Sequence, residues 1–285
     1  MPAASTAAAH HRENDSILTH PSICLLVSAL YAALGASLWR TLSRPVAQTG
    51  PRWQLAAAVP LLGHAWLLAQ ALFAEGEMRF GVGTSLSLII WLTALIYWLA
   101  SFRQRLAGLQ VLIYALAAIT VLASIALPAG KPLTHTHLGL FRAHLLLSLL
   151  SYSLFTIASL QALLMAALER RLHGASLPVF LQHLPPLLSL ETLLFRILGL
   201  GFLLLTLSLA SGMFFSEELF GKPLQFTHKV IFGILSWIIF AALLLGRRLW
   251  GWRGRVALRW TLSGFLALVL AYLGTKFVLE VLLHR

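Results

Sequence analysis

Eight apolar stretches, each closed by charged or turn-forming residues, set the rhythm of the chain: 22–40, 54–74, 82–101, 106–127, 139–168, 194–214, 228–246 and 258–282. A run of about twenty apolar residues is what a helix needs to cross the hydrocarbon core of a bilayer. The joints between runs read Arg44-Pro45, Glu75-Gly-Glu-Met-Arg79, Phe102-Arg-Gln-Arg105, Pro128 to Pro132, Pro185-Pro186, Phe215 to Lys229, and Arg247 to Arg255. Proline, glycine and charge at these points end helices and meet water. The pattern therefore predicts an all-α, polytopic membrane bundle of eight transmembrane helices (residues 21–285) behind a polar, mobile N-terminal tail (residues 1–20). That tail has no basic stretch leading into a short apolar core with a clear cleavage site, so the run after Pro21 is expected to be the first span and not a removed signal.

Composition agrees and adds an orientation. Of 285 residues, 59% are hydrophobic and 11% charged, and the mean hydropathy is +0.85. A water-soluble domain of this size has too little interior to hide so much apolar surface. The formal charge of +12 would suggest nucleic acid in a soluble chain. Here the basic residues sort by side: thirteen of the 21 Lys and Arg fall in or beside the loops after the first, third, fifth and seventh runs. The positive-inside rule then puts those loops in the cytoplasm, both termini outside, and the Phe215–Lys229 loop facing outward. The loop around 169–193 reads as a hinge or an interfacial segment between a bundle of five helices and a bundle of three. Nucleic acid is not expected as a partner; the lipid bilayer is.

The candidate chemistry lies in polar groups beside hydrocarbon, where each is costly to keep. The Phe215–Lys229 loop gathers Glu217, Glu218, Lys222, His228 and Lys229 in fifteen residues. His144 opens the fifth run, and Ser148, Ser151, Tyr152, Phe155 and Ser159 follow on the same helical stripe. Such a stripe serves a cavity or ordinary close packing of helices. His228 opens the seventh run at the same depth, so the two imidazoles can converge if those helices are neighbours, with Arg142, Lys222 and Lys229 available to carboxylates. His64 lies near mid-membrane, one turn after Pro60, whose missing amide frees the carbonyl of Ala56. It is either bonded to that backbone or a ligand or proton-handling group. His135 and His137 form an H-x-H pair without a third ligand, and the remaining histidines sit in tails and loops. Cys24, the single cysteine, rules out a C-x-x-C-H haem attachment. No Walker A, G-x-S-x-G or H-E-x-x-H motif occurs, and no enzymatic turnover is expected.

Several segments carry a family resemblance: Leu184-Pro-Pro-Leu-Leu-Ser-Leu-Glu191-Thr-Leu-Leu-Phe-Arg196, Gly201-Phe-Leu-Leu-Leu-Thr206, Ser211-Gly212, Phe220-Gly-Lys-Pro-Leu-Gln-Phe-Thr-His228-Lys-Val, and Gly246-Arg-Arg-Leu-Trp-Gly-Trp-Arg-Gly-Arg255. In this order they resemble the CcsA/HemX-like cytochrome c assembly family, in its YpjD-type inner-membrane branch. The resemblance implies a multi-pass protein of the bacterial inner membrane that handles haem for c-type cytochrome biogenesis. Its implied cofactor is haem b held non-covalently, with His144 and His228 on the iron and His64, Arg142 and Lys229 as further binding residues. Its implied partners are haem and another membrane protein or apocytochrome c. His144 matches an external haem histidine of that family. The family's tryptophan-rich external loop is replaced here by Phe-Gly-Lys-Pro-Leu-Gln-Phe-Thr-His, and Leu243 to Arg247 and Tyr272 to Lys276 stand where further histidines occur. A non-haem accessory or regulatory subunit, and a small-molecule transporter with His64 on its path, are the alternatives.

Overall fold

The computed structural model describes the backbone of residues 3–44, 51–73, 78–103, 107–127, 131–132, 139–172, 179, 184–216 and 227–274. Its helices are α1 (Ala3–Leu42), α2 (Pro51–Leu72), α3 (Val82–Ser101), α4 (Ala107–Ala126), α5 (Gly139–Leu172), α6 (Leu187–Phe214), α7 (His228–Trp250) and α8 (Arg255–Val269), the last running into a π-helical turn, Leu270–Gly274. All eight contain a segment long and apolar enough to cross a membrane. Two boundaries differ from the sequence expectation. Residues 3–20 continue the helix of the first span, with Pro21 inside it. The sixth helix starts at Leu187, directly after Pro186, because a proline at a helix start forfeits no intrahelical bond. Between the helices, Arg79–Phe80 pairs antiparallel with Lys131–Pro132, a small link joining the second and fourth loops that the hydropathy pattern does not reveal.

Two apolar cores divide the bundle. The first gathers Tyr31, Leu61, Ala94, Ile113 and Ala117 from α1–α4, with Leu154, Ile157 and Leu164 from α5. The second gathers Phe155, Ala158 and Ala162 of α5 with Leu194 and Leu198 of α6, Phe240 and Leu243 of α7, and Leu268 of α8. Helix α5 thus serves both, and 67% of its apolar window is buried, against 28% for α6 and for α7. Lipid tails are as apolar as leucine, so packing and interhelical hydrogen bonds must hold such helices together. They are present: Ser28 Oγ donates to Ala118 O (2.9 Å), Trp91 Nε1 to Leu61 O (2.9 Å), Trp98 Nε1 to Gln54 O (2.8 Å), Gln161 Nε2 to Leu190 O (2.7 Å) and Ser236 Oγ to Gly264 O (2.9 Å).

The arginine-rich end is locked by one cluster. Arg247 Nη1 meets Glu191 Oε1 at 2.5 Å, donates to Trp252 O at 3.2 Å, and lies over the Phe195 ring. Gly251, at φ 65°, ends α7 in the left-handed region and lets the Trp252 amide return to Gly246 O (3.2 Å). The indole of Trp252 then lies on Gly246, where a Cβ would overlap its ring. Trp252 stacks in turn near Trp250 and Trp260, so it has little room to yield. Gly246→Ala is therefore expected to cost about 1–3 kcal/mol and to lower the thermal midpoint in detergent. Gly199→Ala, with open space at the same atom, should leave that midpoint unchanged or raise it.

Candidate functional site

At the opposite end, His144 stands one turn into α5 and faces α6. Its Nδ1 lies 2.8 Å from Ser211 Oγ, and its Cε1 packs so closely on Gly212 that a Cβ there would approach to 3.2 Å. The spacing of Ser208, Ser211 and Gly212 (i, i+3, i+4) puts all three on the α6 face that meets α5. The hydrogen bonds assign the protons. Ser211 Oγ donates to Ser208 O at 2.9 Å, so its only hydrogen is used and it can only accept from the ring. With the Ser211 hydrogen on that carbonyl, the ring is the donor at Nδ1 and the imidazole lone pair falls on Nε2. One turn deeper, Ser148 Oγ donates to His144 O at 2.8 Å and accepts from Ser208 Oγ at 2.6 Å.

The rest of the predicted α5 stripe also faces protein. Ser151 Oγ donates to Gly201 O (3.2 Å), Tyr152 Oη donates to Leu268 O (2.8 Å), and Phe155 stacks on Phe240 of α7 with ring centroids 3.9 Å apart. Ser159 is buried with no partner for its hydroxyl among the described residues. Above the Phe155–Phe240 contact, Tyr272 on the π-helical turn lies between the two helices. It meets the Tyr152 ring edge-on at 6.2 Å, bonds Ser85 Oγ through its hydroxyl at 3.0 Å, and carries Lys229 Nζ over its face at 5.4 Å.

The predicted site residues separate into three positions. Lys229, exposed at the start of α7, is brought within electrostatic reach of His144. His228 is the first residue of α7 and exposed; among the described residues no contact joins its ring to that of His144. Arg142 is exposed and lies two residues before His144, a spacing that turns a helical side chain to the other face. His64 belongs to the first core, buried (1% exposed). Its Nε2 bonds Ser87 Oγ of α3 at 2.7 Å instead of the Ala56 carbonyl, and the Tyr31 ring meets it edge-on at 5.8 Å. The loop residues Glu217, Glu218 and Lys222, the pair His135 and His137, and Lys276 with Glu280 lie outside the described residues. Sequence reasoning missed Ser211 and Gly212 as partners of His144, although their spacing marks a small polar face. It missed Tyr272 as a spacer too, and a π-helical turn has no signature in the hydropathy pattern.

Comparison with known proteins gives this arrangement a context. Residues 52–283 match the model of the family described as "Cytochrome C assembly protein". The chain is 31% identical over 235 residues to the "Inner membrane protein YpjD" of Escherichia coli (strain K12), covering 80% of this chain and 86% of that one. It is 30% identical over 223 residues to an uncharacterized 28.8 kDa protein of Azospirillum brasilense, covering 77% and 81%. It is also 32% identical over 111 residues to the "Cytochrome c biogenesis protein CcsA" of Synechocystis sp., covering 39% of this chain and 33% of the relative.

Proposed function

The chain belongs to the cytochrome c assembly protein family, and on that footing we propose that it is a haem-handling protein of the bacterial inner membrane, serving c-type cytochrome biogenesis without turnover of its own. The relative named an inner membrane protein supports the location, and the charge asymmetry supports a topology with both termini, and hence the His144 end, outside. The observation that carries the site is the pairing of His144 Nδ1 with Ser211 Oγ at 2.8 Å. Ser211, committed to the Ser208 carbonyl, takes the ring's Nδ1 proton. The Nε2 lone pair is the donor that haem iron accepts from a neutral imidazole.

The residues at this end fit non-covalently held haem b. His144, and His228 exposed at the same end, would hold the iron. Lys229, within reach of His144, supplies a cation for a propionate, and Tyr272 beneath it fixes that ammonium over an aromatic face. Arg142, turned to the other face of α5 by its spacing from His144, takes no part in this reading. His64, bonded to Ser87 in the first core, supports packing. Bound haem is the cargo to be presented to apocytochrome c or to a membrane partner.

Ser211 is a positioning residue, and its removal tests the reading. Outer hydrogen-bond partners of a ligating histidine typically contribute 10–100-fold to affinity. The carbonyl of Ser208 remains nearby as a substitute acceptor, so Ser211→Ala is expected to weaken haem retention about tenfold. Titration of purified protein followed by the Soret band reads this out, and Ser211→Thr, which restores the acceptor, should recover it. Unchanged affinity in Ser211→Ala would overturn the ligand role of His144.

One observation favours a second reading. Ser151 and Tyr152 donate their hydroxyls to neighbouring helices and Ser148 meets Ser208 Oγ of α6, so the His144–Ser211 bond also works as a plain pin between α5 and α6, as expected of a non-haem accessory subunit. In that case Ser211→Ala would lower the melting temperature and leave no haem signal to lose.

A further inference from the structure

A wide opening in the described structure lies far from His144, toward the arginine-rich end. Helix α4 packs extensively on α1 and α3, and α5 on α3, α6 and α8, while α4 and α5 touch each other only sparingly. They diverge and leave a groove of about 760 Å³. Its lining is aliphatic: Leu112, Leu116 and Ile119 from α4 face Leu160, Leu163 and Leu164 from α5. Ile119 is 61% and Leu163 51% exposed, so the groove opens sideways, out of the bundle. Trp39, Ser43 and Arg171 border it where α1 and α5 end.

The walls offer almost nothing for water to bond, and at this depth a bilayer presents hydrocarbon chains. The border is different in kind. Arg171 is exposed and pairs with no described carboxylate. The carboxylate two residues before it, Glu169, is held by Arg255 at 2.8 Å, and Glu191 is held by Arg247. Arg40 and Arg44 add further exposed positive charge at the end of α1. Trp39 has the amphipathic character that settles at the membrane–water interface. A second copy is a poor occupant, because a twofold contact places the same surface on both sides and would set these arginines against each other.

We propose that this groove is a binding site for one anionic glycerophospholipid, with an acyl chain between α4 and α5 and the headgroup phosphate on the Arg171 guanidinium. The aliphatic walls give affinity for any chain; Arg171 gives preference for net negative charge. The site is independent of whether haem is bound at the other end.

Full-length protein, exchanged into nanodiscs of equal parts phosphatidylglycerol and phosphatidylcholine with identical acyl chains, is released into detergent and weighed by native mass spectrometry. The wild type is expected to retain one phosphatidylglycerol with about fivefold preference over phosphatidylcholine, the selectivity one arginine near the surface provides. Arg171→Gln should reduce that ratio to about one, and Ala167→Phe, which fills the groove, should lower retention of both lipids. Arg259→Gln, an exposed arginine at the same end on α8, should change neither. Failure of inorganic phosphate at millimolar concentration to displace the lipid supports a phospholipid and not a free anion. Equal retention of the two lipids by the wild type, preference surviving in Arg171→Gln, or retention unaffected by Ala167→Phe would each overturn the proposal. So would a dimer that forms in place of the lipid-bound monomer and is lost in Ala167→Phe.

Discussion

His144→Ala protein, expressed in haem-replete cells, is expected to purify with less than about a tenth of the wild-type Soret absorbance. Loss of the iron's own ligand must exceed the 10–100-fold that an outer hydrogen-bond partner contributes. The ring also fills the space against Gly212 and joins α5 to α6 through Ser211, so absorbance alone does not separate ligation from folding. His144→Gly with added imidazole does: a free ring that restores the band stands in for a ligand, not for a covalent pin. His228→Ala should keep haem but convert a six-coordinate spectrum to a five-coordinate one. His64→Phe should keep the band and change only the melting temperature, because that residue lies in the first core, bonded to Ser87. A full Soret band in His144→Ala would remove the proposed site.

The second large effect is expected at the other end. Arg247→Met leaves Glu191, whose side chain is 10% exposed, without its cation and deprives Trp252 O of a donor. Breaking a fully buried pair costs about 3–5 kcal/mol; because the Arg247 side chain is 29% exposed, about 2–3 kcal/mol is expected here. Replacing both partners is a different matter, since a well-packed apolar pair avoids the desolvation of two charges. The double variant Glu191→Leu/Arg247→Met should therefore recover most of the stability lost in Arg247→Met. Thermal melts of the four proteins in one detergent close the cycle. If the effects of the two single substitutions simply add in the double variant, the pair is not coupled.

The helices were legible because their signal is local. Twenty apolar residues between charges need no knowledge of the neighbours, and the eight runs coincide with the eight spans to within a few residues at most ends. The exception is instructive. The sixth span begins at Leu187, seven residues ahead of the expected 194, because Glu191 reads as a loop residue until its partner Arg247, 56 positions away, is known. The same limit governs the site. The stripe from His144 to Ser159 could be drawn on a helical wheel, and its members do face protein, but which helix receives them is a property of packing. Convergence of His144 and His228 requires the fifth and seventh helices to be neighbours, which equal depth does not decide. Helices α5 and α7 do touch, at Phe155 and Phe240, yet nearer the surface Tyr272 stands between them. For His64, the proline nearby suggested a backbone bond, whereas a serine on the adjacent helix supplies the partner.

Helix α5 lends Leu154, Ile157 and Leu164 to one core and Phe155, Ala158 and Ala162 to the other. It is a party wall, and close-packed interiors transmit strain instead of absorbing it. A bulkier side chain at Ile157 would press α5 against the second core and swing its far end, so residues that never approach the imidazole at position 144 still set where that ring points.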